Sequence, residues 1–248
     1  LFCECNLYFS QELYITSQWF GCFPRSAKFR LENGLSIRVD ELKIGDRVLS
    51  QNLITGKMEF TPIVAFLHRD EHAWSPMLRV IYNAPMSNGK QNMSLYLTPD
   101  HLIYIKPGPT EQIKTVFAST LQQGSVIMIS SMFPNQSLSE GIVLHTEYID
   151  DPGGQGGSSN ELIGLYAPLT HTGSVIVDDV VVSCFAYFSN PNLSYFITWP
   201  LQWMYKLSQW LSIFHPPAEE QNGIHWLAET LLDWLMPILP GSMFHPHT

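Results

Sequence analysis

Between Phe29 and about Phe188 the apolar positions fall in short runs that alternate with polar residues or are β-branched throughout. These runs cover 36–39, 47–50, 77–82, 94–104, 125–129 and 175–188. Alternation with a period of two marks a half-buried strand, and an unbroken β-branched run marks a strand covered on both faces. Turn-forming pairs punctuate the runs: Asn33-Gly34, Gly45-Asp46, Thr55-Gly56, Ser87-Asn88-Gly89, Pro107-Gly108 and Thr172-Gly173. The stretch 150–160 (DDPGGQGGSSN) has the composition of a flexible loop. An internal echo links Leu95-Tyr96-Leu97-Thr98, which leads into an apolar run to Ile105, with Leu165-Tyr166 through Thr170, which leads into 174–182. The pattern predicts an all-β domain with an approximate two-fold repeat.

The periodicity changes after Asn190. In 193–214, Trp199, Trp203, Tyr205, Leu207, Trp210, Leu211 and Phe214 recur at helical spacing, and Pro216-Pro217 ends the segment. A second helical pattern over 223–239 carries Trp226, Leu227, Leu231, Leu232, Trp234 and Leu235. Polar residues interrupt both segments, which predicts helices lying at a lipid interface rather than spanning a bilayer. An ordinary helical hairpin packed on the β domain fits the same pattern. Residues 1–21 are apolar and aromatic, too short to fold alone, and read as the end of an upstream module. The expected organisation is thus 1–21 as linker, 22–188 as the β domain and 189–248 as an apolar helical tail.

Composition narrows the partners. The chain has 248 residues, 45% of them hydrophobic, only 14% charged, and a net charge of −9. Nucleic-acid binding needs a concentrated basic surface, and docking on anionic lipid needs juxtaposed basic residues; neither is present. Lipid contact would have to be apolar. Four cysteines, Cys3, Cys5, Cys22 and Cys184, show no metal-binding spacing, and Cys3 and Cys5 are too close for an easy mutual disulfide. No cofactor or metal is expected. The chain starts at Leu1 without the basic region of a signal peptide, as a processed or partial chain does. Asn92, Asn135 and Asn192 stand in Asn-x-Ser sequons, which are compatible with secretion and also common by chance.

Candidate chemistry lies at Gly21-Cys22 and at Thr98-Pro99-Asp100-His101. A solitary cysteine is usually a small buried hydrophobe. Cys22, however, follows a glycine at the threshold of the β domain, where its thiol can attack the carbonyl of the preceding residue and convert the amide to a thioester. Gly21 has no β-carbon to obstruct that carbonyl. Such an N-to-S shift is uphill unless the departing amine is protonated, which calls for an acid such as His101. Thr98, three residues earlier, can hydrogen-bond the scissile amide. His101 could equally be a hydrogen-bonded core histidine.

Five ordered motifs carry a family resemblance: Gly21-Cys22-Phe23-Pro24; Leu42 with Gly45-Asp46-Arg47-Val48-Leu49-Ser50; Leu97-Thr98 with His101-Leu102; Tyr166-Ala167-Pro168-Leu169-Thr170; and Ser183-Cys184-Phe185-Ala186. In order and spacing they resemble the hedgehog autoprocessing domain, and Gly223-Ile224-His225-Trp226 resembles a motif near the C-terminus of many hedgehog proteins. The resemblance implies an all-β Hint fold with pseudo-two-fold symmetry, shared with inteins. It further implies that Cys22 is the nucleophile, His101 the acid for amine departure, Thr98 the polarising partner and Cys184 a supporting or redox residue. Cys184 in an apolar run is as readily plain core. The implied acceptor is a sterol hydroxyl, cholesterol in the family. Trp199, Trp203, Trp210 and Trp226 of the tail are then the expected lipid-binding residues.

Where hedgehog proteins carry an aspartate linked to activation of the sterol hydroxyl, this chain has His68, with Asp70 two residues further on. Neutral imidazole is a competent base near pH 7. The exchange also fits a different lipid alcohol, or hydrolysis of the thioester by water. Splicing requires a terminal His-Asn pair, which the run ending Val182-Ser183-Cys184-Phe185 lacks. A non-catalytic lipid-binding module is the reading from another functional class. The resemblance implies a monomer, an upstream polypeptide as covalent substrate, a sterol or membrane lipid as partner, and the secretory pathway at the endoplasmic reticulum membrane.

Overall fold

The computed structural model describes residues 21–52, 55–86, 89–130, 138–151 and 161–185, the positions Trp199, Gln202, Trp203, Tyr205, Lys206 and Leu207, and Gly223–Ile224. Strands β1 (Lys28–Arg30), β2 (Ser36–Arg38), β3 (Arg47–Gln51), β4 (Met58–Asp70) and β5 (Met77–Met86) come first. They are followed by β6 (Gly89–Leu97), β7 (Leu102–Ile105), β8 (Lys114–Phe117), β9 (Val126–Ser130) and β10 (Leu138–Ile149). Strands β11 (Leu165–Thr170), β12 (Ser174–Val177), β13 (Val180–Ser183) and β14 (Gly223–Ile224) close the series. Among the described residues, ten strands form one antiparallel sheet in the order β2-β1-β12-β13-β7-β9-β10-β5-β6, with β8 on β7. A second, four-stranded sheet has the order β11-β4-β14, with β3 also on β4.

Every residue of β11, β12 and β13 is buried, as their unbroken apolar, β-branched character requires. The run over 175–188 is nevertheless two strands. Asp178 and Asp179 take φ of 46° and 66°, a tight hairpin turn between Val177 and Val180. An Asp-Asp pair lacks the usual Asn-Gly signature. This turn is held from outside: Arg30 pairs with Asp179, the Tyr82 hydroxyl donates to the Asp178 carbonyl at 2.6 Å, and Ser130 N–H donates to the Asp179 carbonyl at 2.8 Å. The expected strand over 94–104 is likewise divided, because Pro99 cannot donate to a ladder and residues 98–101 turn between β6 and β7.

A two-fold repeat is visible in two strand–turn–strand units. In the first, β2 leads through a 3-10 turn (Val39–Glu41) to Leu42, Gly45 and β3, which pairs with β4. In the second, β8 leads through a 3-10 turn (Ala118–Thr120) to Leu121, Gly124 and β9, which pairs with β10. Both glycines have positive φ, 96° and 89°. The long partners β4 and β10, absent from the expected strands, pair in turn with β11 and β5.

Among the described residues, the tail departs from its expected form at Gly223–Ile224. Residues 223 and 224, assigned by periodicity to the start of a second helix, are strand β14, paired antiparallel with Arg69 and His68 of β4. The free backbone edge of β4 there outweighs the weak helix propensity of a Gly-Ile pair. Trp199, Gln202, Trp203 and Tyr205–Leu207 have helical backbone, but among the described residues no apolar helix of the expected extent is seen. The rest of 189–248, including Trp210 and Trp226, lies outside the described residues, as do residues 1–20 and their two cysteines. Among the described residues, no helix is long and apolar enough to cross a membrane.

Gly164 precedes β11 with φ of 97°, and a β-carbon there would lie 2.6 Å from the Tyr166 ring. Gly164→Ala is therefore expected to lower stability by about 2–3 kcal/mol, from left-handed strain plus the ring contact. Urea unfolding measures it, and a change within about 0.5 kcal/mol contradicts the packing described here.

Candidate active site

Cys22 reaches the centre of the fold because its neighbour is stitched into the second sheet. Phe23 N–H donates to the Tyr166 carbonyl at 2.8 Å, and Tyr166 N–H returns the bond to the Phe23 carbonyl at 3.0 Å. The Phe23 ring packs edge-on against Phe29 and lies 4.4 Å, centroid to centroid, from the His101 imidazole. These contacts leave Gly21, Cys22 and Phe23 buried, so the Gly21–Cys22 bond is inside the protein.

Thr98 holds that bond from the end of β6. Its hydroxyl accepts from the Cys22 backbone N–H, the nitrogen of the scissile amide, at 3.0 Å. Its own N–H donates to the Cys22 carbonyl at 3.0 Å. The 98–101 turn is fixed by His101 N–H donating to the Thr98 carbonyl, and by Ala118 and Ser119 N–H groups donating to the carbonyls of His101 and Pro99.

His101 is fully buried, and its Nε2 lies 2.9 Å from the Ser183 carbonyl. A carbonyl only accepts, so Nε2 carries the hydrogen and Nδ1 of the neutral ring is bare. Nδ1 makes no well-formed hydrogen bond. Burial lowers the imidazole to about 4, and the carbonyls of Ser183 and Gly21 pull the other way by favouring the protonated ring. The Gly21 carbonyl, on the acyl side of the scissile bond, is thus close enough to the ring to favour its protonated form.

His68, in β4, lies against the thiol. Its Nδ1 is 3.5 Å from Cys22 Sγ. Burial lowers this imidazole to about 4 against a smaller opposing effect of Asp70, so the ring is neutral at physiological pH. Burial also pushes the Cys22 thiol far above its ordinary range. The resting pair is a neutral thiol beside a neutral imidazole rather than a thiolate, and the proton can move to Nδ1 as sulfur attacks.

Cys184 is also buried, its thiol 3.4 Å from the Thr170 hydroxyl and pushed up to about 11 by burial. It adjoins Ser183, whose carbonyl holds His101. Cys22 and Cys184 form no disulfide. Trp199 and Trp203 pack against each other, ring centroids 5.9 Å apart, exposed at the surface and separate from this centre. Between them Gln202 is buried, its side-chain oxygen 2.9 Å from His171 Nδ1. The structure therefore brings together Cys22, His68, Thr98 and His101, and leaves Trp199 and Trp203 at the surface. Ser183 was not foreseen, since it acts through a backbone carbonyl that any residue supplies. The ring of Phe23 against His101 was within reach of the Gly21-Cys22-Phe23 motif but carried no signal of its partner.

Residues 11–239 match the Hint module, and the chain belongs to the Hint family of autoprocessing domains. Within that family it is similar to hedgehog proteins. It is 33% identical over 235 residues to the Indian hedgehog protein of Xenopus laevis, covering 91% of this chain and 50% of that protein. It is 26% identical over 240 residues to the hedgehog protein of Drosophila melanogaster, covering 93% and 47%. The chain spans about half the length of the curated relatives it matches. Among solved structures it is similar to the bacterial intein-like domain from Clostridium thermocellum, with TM-score 0.46, 14% identity, and coverage of 65% of this chain and 97% of that one. A DnaB intein from Synechocystis sp. PCC 6803 gives TM-score 0.45, 11% identity, and coverage of 66% and 97%.

Proposed function

We propose that this chain cleaves itself at the Gly21–Cys22 bond through a thioester and passes the upstream polypeptide to a lipid alcohol, a sterol by similarity to the hedgehog proteins. The observation that carries the reading is the double engagement of Cys22: its amide N–H on the Thr98 hydroxyl and its thiol beside His68 Nδ1.

In the first step the Cys22 thiol proton moves to His68 Nδ1 as sulfur bonds to the Gly21 carbonyl carbon. The carbonyl oxygen gains negative charge, which draws this same proton on from His68 to His101 Nδ1, offsets the low basicity that burial imposes, and leaves His68 neutral again. That proton passes to the Cys22 nitrogen, the C–N bond breaks, and a thioester and a free amine remain. Thr98 keeps the departing nitrogen aligned. In the second step His68 Nδ1 takes the proton of the acceptor hydroxyl, its oxygen attacks the thioester carbon, and the C–S bond breaks. His68 then returns the proton to the Cys22 sulfur. The upstream chain leaves as an ester at Gly21.

Residues 22–188 form the catalytic unit in this reading, and 189–248 serve as the lipid-recognition tail, with Trp199 and Trp203 as exposed lipid contacts. The hedgehog likeness favours action in the secretory pathway at a membrane. The test is the full chain fused behind a reporter polypeptide and incubated with dithiothreitol or with cholesterol. Cleavage by both is expected in the parent, and His68→Ala is expected to lower the sterol-dependent reaction by about 10²–10⁴. An unmodified acid at Gly21 as the product with cholesterol would establish hydrolysis instead. No cleavage under any condition would leave a non-catalytic lipid-binding module.

The acceptor step has a defined pH dependence. Its base must be unprotonated, and burial places the His68 proton loss at about 4 instead of 6.5. With sterol limiting, transfer is expected to stay level from about pH 8 to about pH 5.5 and to fall below that as imidazolium accumulates. Half-loss near pH 6.5 would mean that His68 is solvated and is not the base described here.

A further inference from the structure

We propose that the C-terminal strand Gly223–Ile224 is a clamp on β4 that positions His68 for the acceptor step; this rests on the role given to His68 above. The observation is one of register. Ile224 pairs with His68 itself and Gly223 with Arg69, so this two-residue strand of the tail meets β4 at the residue whose imidazole touches the Cys22 thiol.

The opposite edge of β4 explains why a clamp is needed. On that side β11 pairs Ala167 with His68 and Pro168 with Phe66, leaving Leu67 unopposed. A one-residue irregularity bends a strand, raises its twist and re-aims the neighbouring side chains. It falls immediately before His68. Pro168, at the irregularity, also lacks an N–H to offer β4. One edge of β4 is thus irregular beside the catalytic residue, and β14 ladders the other edge through the backbone of the next residue, Arg69.

The side chain after His68 fixes the following residue on the far face. Arg69 donates from its two terminal nitrogens to the carbonyls of Leu42 and Asp40, at 3.0 and 2.9 Å, and stacks over Phe66 at 4.7 Å. Arg69 therefore anchors β4 to the first 3-10 turn, while β14 fixes its backbone. Between these restraints the His68 ring lies against Cys22. The tail is tied down a second time where Gln202 meets His171, one residue beyond β11. A segment assigned to lipid recognition is thereby attached directly to the residue that must deprotonate the lipid hydroxyl. Docking of the tail and alignment of the base become one event.

The test uses the full chain behind a reporter, with Ile224→Pro, Gly223→Pro and the conservative Ile224→Val. Tyr166 gives its N–H and carbonyl to Phe23, so Arg69 turns its own toward β14, and the bonded pair there is Gly223–Arg69. Gly223→Pro removes that ladder and is expected to lower cholesterol transfer at least about tenfold more than it lowers dithiothreitol cleavage, the scale on which misplacing a reacting group slows a reaction. Ile224→Pro, whose N–H faces away from β4, is expected to lose less. Ile224→Val is expected to match the parent in both. In a His68→Ala background Gly223→Pro should cause no further loss of transfer. Equal loss in both reactions, or full additivity with His68→Ala, overturns the proposal. A parent chain that gives no sterol ester would refute the acceptor reading but not the clamp, which is then read from the His68 imidazole itself. Nitrogen-15 NMR should show its titration moving from about 4 toward 6.5 in Gly223→Pro, and an unmoved titration overturns the clamp.

Discussion

Cys22→Ala is expected to abolish cleavage between residues 21 and 22, by at least about ten-thousandfold, with dithiothreitol and with sterol alike. No other group is placed to do what its sulfur does. The thiol is fully buried beside the bond it attacks, so no outside nucleophile has the same access to the Gly21 carbonyl. Without sulfur there is no thioester, and an added thiol then meets an ordinary amide. The substitution removes one small buried atom and should leave the fold intact, which circular dichroism can verify. Comparison of reporter release on a gel is sufficient. Cleavage that persists in the alanine variant would mean that a different residue, or a contaminating protease, breaks the chain.

The second large effect is expected at His101. His101→Gln keeps a nitrogen donor able to reach the Ser183 carbonyl, yet it cannot carry the proton to the departing amine. Dithiothreitol cleavage should fall by about 10²–10⁴, the usual contribution of a general acid, while urea unfolding changes little. Thiolysis reads the first step, so His101→Gln should lower thiolysis and sterol transfer alike, whereas His68→Ala should lower transfer further than thiolysis, because His68 serves in both steps. Thiolysis by His101→Gln at the parental rate would reduce His101 to a core histidine bonded to Ser183, the plain alternative its sequence context leaves open.

Much of the β architecture is legible in the alternation, because period-two patterns report burial directly. What is not legible comes from partners distant in sequence. The Asp178-Asp179 hairpin is one case: the run 175–188 reads as a single strand, and the turn is stabilised by Arg30, Tyr82 and Ser130 from elsewhere in the sheet. Strand β14 is another, since a two-residue strand has no period at all and exists because β4 offers an unpaired edge. The long strands β4 and β10 lack clean alternation, as each changes partner along its length: β4 from β3 to β11, and β10 from β9 to β5. The repeat likewise sits in the two strand–turn–strand units, where structure is shared more closely than sequence.

The site divides in the same way. Cys22, Thr98 and His101 stand out because their spacing to a strand end carries chemical meaning, and the structure gathers them around one amide. His68 stands out as a residue where the related proteins lead one to expect aspartate, and its neutrality is a property of burial that no sequence pattern reports. The Ser183 carbonyl, which sets the tautomer of His101, is invisible at the level of residue type.

Intact-mass analysis of the reporter fusion after dithiothreitol treatment addresses the thioester most directly. The account predicts two products: an upstream fragment ending at Gly21 with one dithiothreitol attached in thioester linkage, and a chain beginning at Cys22 with a free amine. An upstream fragment ending at any other residue, or one ending at Gly21 that never carries the thiol adduct, would contradict it.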